Sequence, residues 1–232
     1  MSPKGRPEGE QAPKRVGAEG RPASGARRGA APMRIPLFPL NAVLFPGGLL
    51  PLKVFEQRYV EMTKACVRDG TPFGVCMIRQ GSEVAREREP PPEFADVGTL
   101  ARVASWDAPQ PGILHVAARG DARFLVERHE RSPSGLLIAE VVGIAAEPRV
   151  ALTSAQAPLR SLLEVVAARI GPERFPAGGD FDDASFVGYR LAEFLPLPLA
   201  VKQSMLEIND AGVRLAVLQR FLLERGVLGG AP

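Results

Sequence analysis

Lys202 and Ser204 come closest, by residue type, to a reaction centre, because a lysine amine beside a serine hydroxyl can serve as base and nucleophile. Their spacing argues against it. On a helix, positions i and i+2 point about 200° apart, so the pair cannot meet from one helix, and both read as exposed polar positions. Other signatures of group transfer are absent from the sequence. It contains no Gly-x-x-x-x-Gly-Lys-Ser/Thr loop, no Gly-x-Gly-x-x-Gly turn, no Gly-x-Ser-x-Gly elbow and no His-Glu-x-x-His helix. Two histidines, His115 and His129, give a metal cluster little to build on. His115, in an apolar run, reads as a hydrogen-bonded barrel residue, and His129 as a strand end facing water. The carboxylates Asp180, Asp182 and Asp183 follow Gly178-Gly179 and could gather around a divalent cation. A helix amino terminus explains them as simply, since its dipole favours carboxylates, and that is the reading adopted. The sequence therefore predicts no catalytic residue, no metal and no cofactor.

Charge narrows the partners. Met1 to Pro32 carries seven basic and three acidic residues, so the other 200 residues hold about −1 of the chain's +3. The basic pI near 9.1 thus belongs to the tail, and the folded part lacks the basic field that nucleic acid selects. The tail is rich in Gly, Pro and Ala and is expected to be disordered; alternatively Met33 is the true start, just before the first strand. Cys66 and Cys76 sit among apolar neighbours and read as buried free thiols of a reduced compartment. With no apolar run near the roughly 20 residues of a membrane span and no apolar leader, the expected location is cytoplasmic.

These residues need a scaffold, and the chain spells out two lobes. Ile35 to Tyr59, IPLFPLNAVLFPGGLLPLKVFEQRY, carries Pro36, Pro39, Pro46 and Pro51, which exclude a single helix or a single central strand. Two short strands fit, turned at Pro46-Gly47-Gly48, where glycine supplies a positive φ. Glu56 to Asp69 places Tyr59, Met62 and Cys66 on one helical stripe that Gly70 ends. Glu56 and Arg58 at its start read as holding helix to sheet. Strands are expected over Phe73–Ile78, Thr99–Trp106, Ile113–Ala118, Arg123–Arg128 and Leu136–Ile144, in an antiparallel, barrel-like sheet. Gln80 to Asp96, charged and proline-rich, reads as a mobile loop. From Thr153 the period becomes helical: Leu159, Leu162, Leu163, Val166 and Ile170 recur behind candidate caps Thr153 and Ser154, and Gly171-Pro172 ends that helix. Asp182 or Asp183, Pro198 and Asp210 open three more, ending near Leu195, Asn209 and Gly226. The expected fold is α+β: a β-rich lobe with one helix over 33–148, a four-helix lobe over 149–228, and tails at 1–32 and 229–232.

The opening segment resembles the start of the LON domain, the substrate-binding module at the amino terminus of Lon proteases. Phe73-Gly74-Val75 resembles that family's next strand, Val97-Gly98-Thr99-Leu100-Ala101 its "VGT-A" entry, and Gly120-Asp121-Ala122-Arg123-Phe124 its "G-x-x-R-F" turn into a strand. Leu195-Pro196 and Lys202-Gln203-Ser204-Met205-Leu206-Glu207 resemble its "LP … KQ-LLE" helix, and Arg214-Leu215-Ala216-Val217-Leu218 its closing helix. The matches run in order from Ile35 to about Gly226. The resemblance implies a PUA-like curled sheet with a helical lobe, and non-catalytic binding of unfolded or tagged polypeptide, or of a protein partner, linked to protein quality control. It implies no proteolysis, because the ATPase and Ser-Lys proteolytic domains of full-length Lon are not in this sequence. An apolar groove between the lobes would hold the peptide, with Leu44, Phe45, Phe55, Tyr59 and Trp106 as candidate contacts and strand-edge pairing as a supplement. Leu44, Phe45, Leu49 and Leu50 crowd the Pro46 turn, either as an exposed partner patch or, as favoured here, buried against the helices. The alternative function is RNA or small-ligand binding through the PUA-like sheet, which would require a basic stripe with interleaved aromatics.

Overall fold

A computed structural model describes residues 32–83, 92–175 and 178–228; nearly all of the basic tail, residues 84–91 of the expected mobile loop and the carboxyl-terminal tail lie outside the described residues. The end of that loop is no loop but pairs through Glu93–Phe94 with the strand Phe73–Gln80. Prolines set the geometry of the first strand, β1 (Met33–Leu40). Its first half pairs antiparallel with β7 (Leu137–Gly143), from Met33↔Val141 to Leu37↔Leu137. Its second half pairs parallel with β3 (Phe73–Gln80), from Leu37↔Gly74 to Leu40↔Met77. The strand changes partner at Leu37, so at Pro36 and at Pro39 only one edge carries a ladder, the setting in which a strand tolerates proline.

The sheet is antiparallel as expected at every other pairing between the described strands, and this parallel one is an addition that the sequence did not announce. Parallel neighbours need a crossover, and β2 (Leu49–Val54) with α1 (Gln57–Asp69) supplies it. The pairing also closes the sheet. In the order β1-β7-β6-β5-β3 and back to β1, five strands form a barrel, with β2 added on β6 and the two-residue β4 (Glu93–Phe94) on β3. β5 (Val97–Gln110) and β6 (Ile113–Arg131) make one long hairpin with three register shifts.

Two expected strands, Ile113–Ala118 and Arg123–Arg128, are therefore one, and the "G-x-x-R-F" stretch is no turn. β6 stays paired to β5 while exchanging β2, at Leu114 to Arg119, for β7, at Phe124 to Arg131. The exchange takes place around Gly120. There a Cβ would fall 2.2 Å from the carbonyl oxygen of Phe45, so only glycine admits the β1–β2 turn.

The helices follow their caps. Thr153 and Gln156 form a capping box at a short 3₁₀ turn (Ser154–Gln156) that leads into α2 (Ala157–Ile170). Asp183 accepts from the Phe186 N–H to open α3 (Ala184–Phe194), α4 runs Leu199–Glu207, and Asp210 accepts from the Val213 N–H to open α5 (Ala211–Glu224). The α+β class, with one helix in the β lobe and four beyond it, is as the sequence implied. Two apolar clusters fill the β lobe, one beneath α1 and one inside the barrel, and a third fills the helical lobe. Cys66 and Cys76 are free and buried; burial pushes both thiols up.

Candidate functional site

The seam between the lobes, where the peptide groove was expected, is filled. The β1–β2 turn splits its apolar residues between two cores: Leu44 joins the cluster under α1, and Phe45, 0% exposed, enters the helical cluster beside Tyr189. Neither can touch a partner from there. Pro46-Gly47-Gly48 does form the expected turn, with φ of +73° at Gly47. Gly47 and Gly120 exchange backbone bonds across it, the Gly47 N–H to the Gly120 carbonyl and the Gly120 N–H to the Gly48 carbonyl, each 2.9 Å. From α3, Arg190 donates to the Pro46 carbonyl at 2.9 Å, and Glu193 accepts from the Leu49 N–H at 3.3 Å.

A buried ionic cluster completes the seam. Glu147, just after β7, receives Arg214 Nη1 at 2.8 Å, a second contact from Arg214 Nη2, Tyr189 Oη at 2.9 Å and the Ser185 hydroxyl. Arg123 pairs with it at 3.1 Å and donates to the Leu206 and Ile208 carbonyls at 2.7 and 2.9 Å, which closes the carboxyl end of α4. Burial pushes the Glu147 carboxyl up, but the Arg214 hydrogen bonds and charge, with Ser185 and Tyr189, outweigh it and hold the group below its ordinary value. Gln203 donates to the Val97 carbonyl at 3.0 Å. Among the residues that carried the family resemblance, Arg123, Gln203 and Arg214 thus clamp lobe to lobe from buried positions.

Other candidates resolve individually. Lys202 is half-buried, a correction to its expected exposure, and donates to the Glu193 carbonyl at 2.7 Å; Ser204 turns to the Ala200 carbonyl at 3.0 Å. Burial pushes the Lys202 amine down from its ordinary value. His115 is exposed, not a buried barrel residue, because its alternate neighbours Leu114 and Val116 take the core side of β6. Asp180 pairs with Arg149 at 2.7 Å, Asp182 pairs with Arg160, and Asp183 caps α3. Among the described residues no group of three or more His, Cys, Asp or Glu is placed to hold a metal. Arg58 pairs with Glu56 at 3.0 Å and donates to the Gly135 carbonyl at 2.9 Å, tying α1 to the β6–β7 turn.

Among the described residues a groove opens within the β lobe, beside β2. It encloses about 310 Å³ between the β2 run Leu50–Glu56 and a far wall of Phe38, Leu40, Ala42, Tyr59 and Glu83. Its floor is the Phe38–Tyr59 stack, rings 3.9 Å apart, and burial pushes the Tyr59 phenol up to about 12. Phe55, 52% exposed, stands at the rim. Tyr59 and Phe55 are therefore brought together; Trp106, 54% exposed, lies beyond β2, where a second hollow of about 540 Å³ runs over Pro51, Lys53, Ser105, Asp107 and His115. Sequence reasoning missed Phe38, Leu40 and Leu52, and weighed Leu50 as a possible partner residue but favoured its burial against the helices. The signal was the period-two alternation of LLPLKV, with leucines on the inner face and Pro51 and Lys53 outside.

A closed, mostly antiparallel barrel crossed by one helix and clamped to four more defines the class. Residues 34–224 match the substrate-binding domain family of the ATP-dependent protease La (LON), and the chain belongs to that family. The Lon N-terminal domain protein from Xanthomonas campestris is 33% identical, with a TM-score of 0.67 over 81% of this chain and 98% of that one. The N-terminal domain of the Mycobacterium avium complex Lon protease shares the fold, at 17% identity and a TM-score of 0.52 over 80% of this chain and 96% of that one. Lon protease from Anaeromyxobacter dehalogenans is 38% identical over 107 residues, 44% of this chain and 12% of that protein. That from Cytophaga hutchinsonii is 25% identical over 191 residues, 78% and 23% respectively. The chain therefore spans less than a quarter of these proteases' length. No helix among the described residues is long and apolar enough to cross a membrane.

Proposed function

We propose that this chain recognises polypeptide without transforming it, taking unfolded or tagged segments, or a protein partner, in protein quality control. The observation that carries the reading is the β2 groove: an aromatic floor, leucine walls and the exposed Phe55 rim, in a domain of a substrate-binding family. Burying one large apolar side chain there is worth about 1.5–3 kcal/mol, so several contacts along a segment reach the micromolar range, on the order of −8 kcal/mol. The chemistry of the binding is apolar, and its dependence on salt is correspondingly shallow.

The test titrates the full chain with a labelled unfolded protein and with RNA at two salt concentrations, and assays ATP turnover alongside. Weak polypeptide binding that persists at high salt, with no ATP turnover, is the expected result. RNA binding that falls steeply with salt, with no polypeptide binding, would move the function to nucleic acid. ATP turnover abolished by a substitution in this chain would refute the non-catalytic reading.

A further inference from the structure

The backbone of β2 restricts how the groove can hold a chain, given the polypeptide reading above. The Gly48 carbonyl accepts from Gly120 on β6, and even-numbered residues continue that alternation: Leu50, Leu52 and Val54 pair with Ala118, Val116 and Leu114. Leu49, Pro51 and Lys53 therefore aim their main-chain groups at the opposite edge, which no strand among the described residues covers. This edge is short of donors. The Leu49 N–H is engaged by Glu193, and Pro51 has none, which leaves Lys53 as the one main-chain donor beside three carbonyls. An added strand would need a donor and an acceptor at every second residue. A proline and a capping carboxylate are the devices that keep an edge from pairing.

We propose that the groove captures polypeptide by inserting large apolar side chains between β2 and the Phe38–Tyr59 stack, and that it adds no strand to β2. Its ligands are segments selected for side chains and indifferent to backbone hydrogen bonding, proline-interrupted segments included. Recognition by strand extension would favour the opposite class, uninterrupted extended runs.

The probe is a short fluorescein-labelled peptide with two phenylalanines in a glycine-serine background, compared by anisotropy with a twin N-methylated at the flanking amides. Against the full chain, the two dissociation constants are expected to agree within about threefold, since a lost backbone hydrogen bond alone changes affinity by roughly that or more. Phe55→Ser should weaken both peptides equally. Pro51→Val, which restores the edge donor, should tighten the unmodified peptide and leave its twin unchanged. A twin weakened by more than about threefold against the natural chain overturns side-chain capture while leaving polypeptide recognition in place. Equal binding of both peptides unaffected by Phe55→Ser overturns the location. No binding of either peptide overturns the polypeptide reading itself.

Discussion

Replacing Glu147 by glutamine keeps its shape and removes only its charge, which isolates the ionic cluster at the seam. The side chains of Arg123, Glu147 and Arg214 are 3%, 5% and 0% exposed, so neither guanidinium can recover its lost counter-charge from water. Removing one partner of such a buried pair costs about 3–5 kcal/mol, roughly a fifth or more of the ~5–15 kcal/mol that holds a domain together. For a chain of this size that corresponds to a thermal midpoint lower by about 6–20 °C. The pH dependence follows from the direction of the shift. The Glu147 carboxyl titrates below its ordinary value in the folded state, so its contribution is fully present above the unfolded value of about 4.3 and is lost as pH falls through the folded one. Urea melts at pH 7 should therefore separate wild type from Glu147→Gln widely, and the gap should close in strong acid, where both side chains are neutral. A variant within about 1 kcal/mol of wild type at pH 7 would refute the reasoning, because that is the scale of an exposed pair.

Gly120→Ala should cost about 1–3 kcal/mol or more in urea melts, because the new Cβ meets the Phe45 backbone 2.2 Å away and no rotamer relieves it; an unchanged midpoint would sink that account. Phe45→Ala should cost about 3–5 kcal/mol, whereas Phe55→Ser, at a residue 52% exposed, should stay within about 0.5 kcal/mol. Equal losses from the two would contradict the division into core pin and groove rim. Both thiols should resist a soluble disulfide reagent until the chain unfolds, since Cys66 and Cys76 are buried and their thiols are pushed up; rapid labelling of the folded chain would show otherwise.

The helical lobe was legible nearly to the residue because its punctuation is local: Asp183 and Asp210 are caps, and the ends at Gly171, Pro196 and Gly226 need no distant partner. The sheet was legible as strands but not as pairings. Nothing in Ile35–Leu40 announces that one proline half meets β7 and the other β3, because register is decided by residues far away in the chain. Gly120 read as a turn from its resemblance to the family's "G-x-x-R-F" stretch, and its observed task, admitting the Phe45 carbonyl, is a tertiary fact. Of the candidate contacts, Phe55 and Tyr59 line the open groove and Trp106 lies over the adjoining hollow, but Leu44 and Phe45 were selected for apolarity, which marks cores and interfaces alike.

The closure of the barrel also has a history, because a chain is made from its amino end. β1 is made before the other described strands; its second half is covered once Gly74 to Met77 emerge, but its first half waits for Leu137 to Val141. The seam waits longer still, since Arg214 follows Glu147 by 67 residues. Throughout that interval the nascent protein carries a bare strand edge that other nascent chains could join. Pro36 lies in the waiting half and removes a donor from it. An interruption that weakens a finished ladder thus also offers one fewer donor to a stray partner before the ladder forms, and Pro51 does the same for the open edge of β2 once folding is complete.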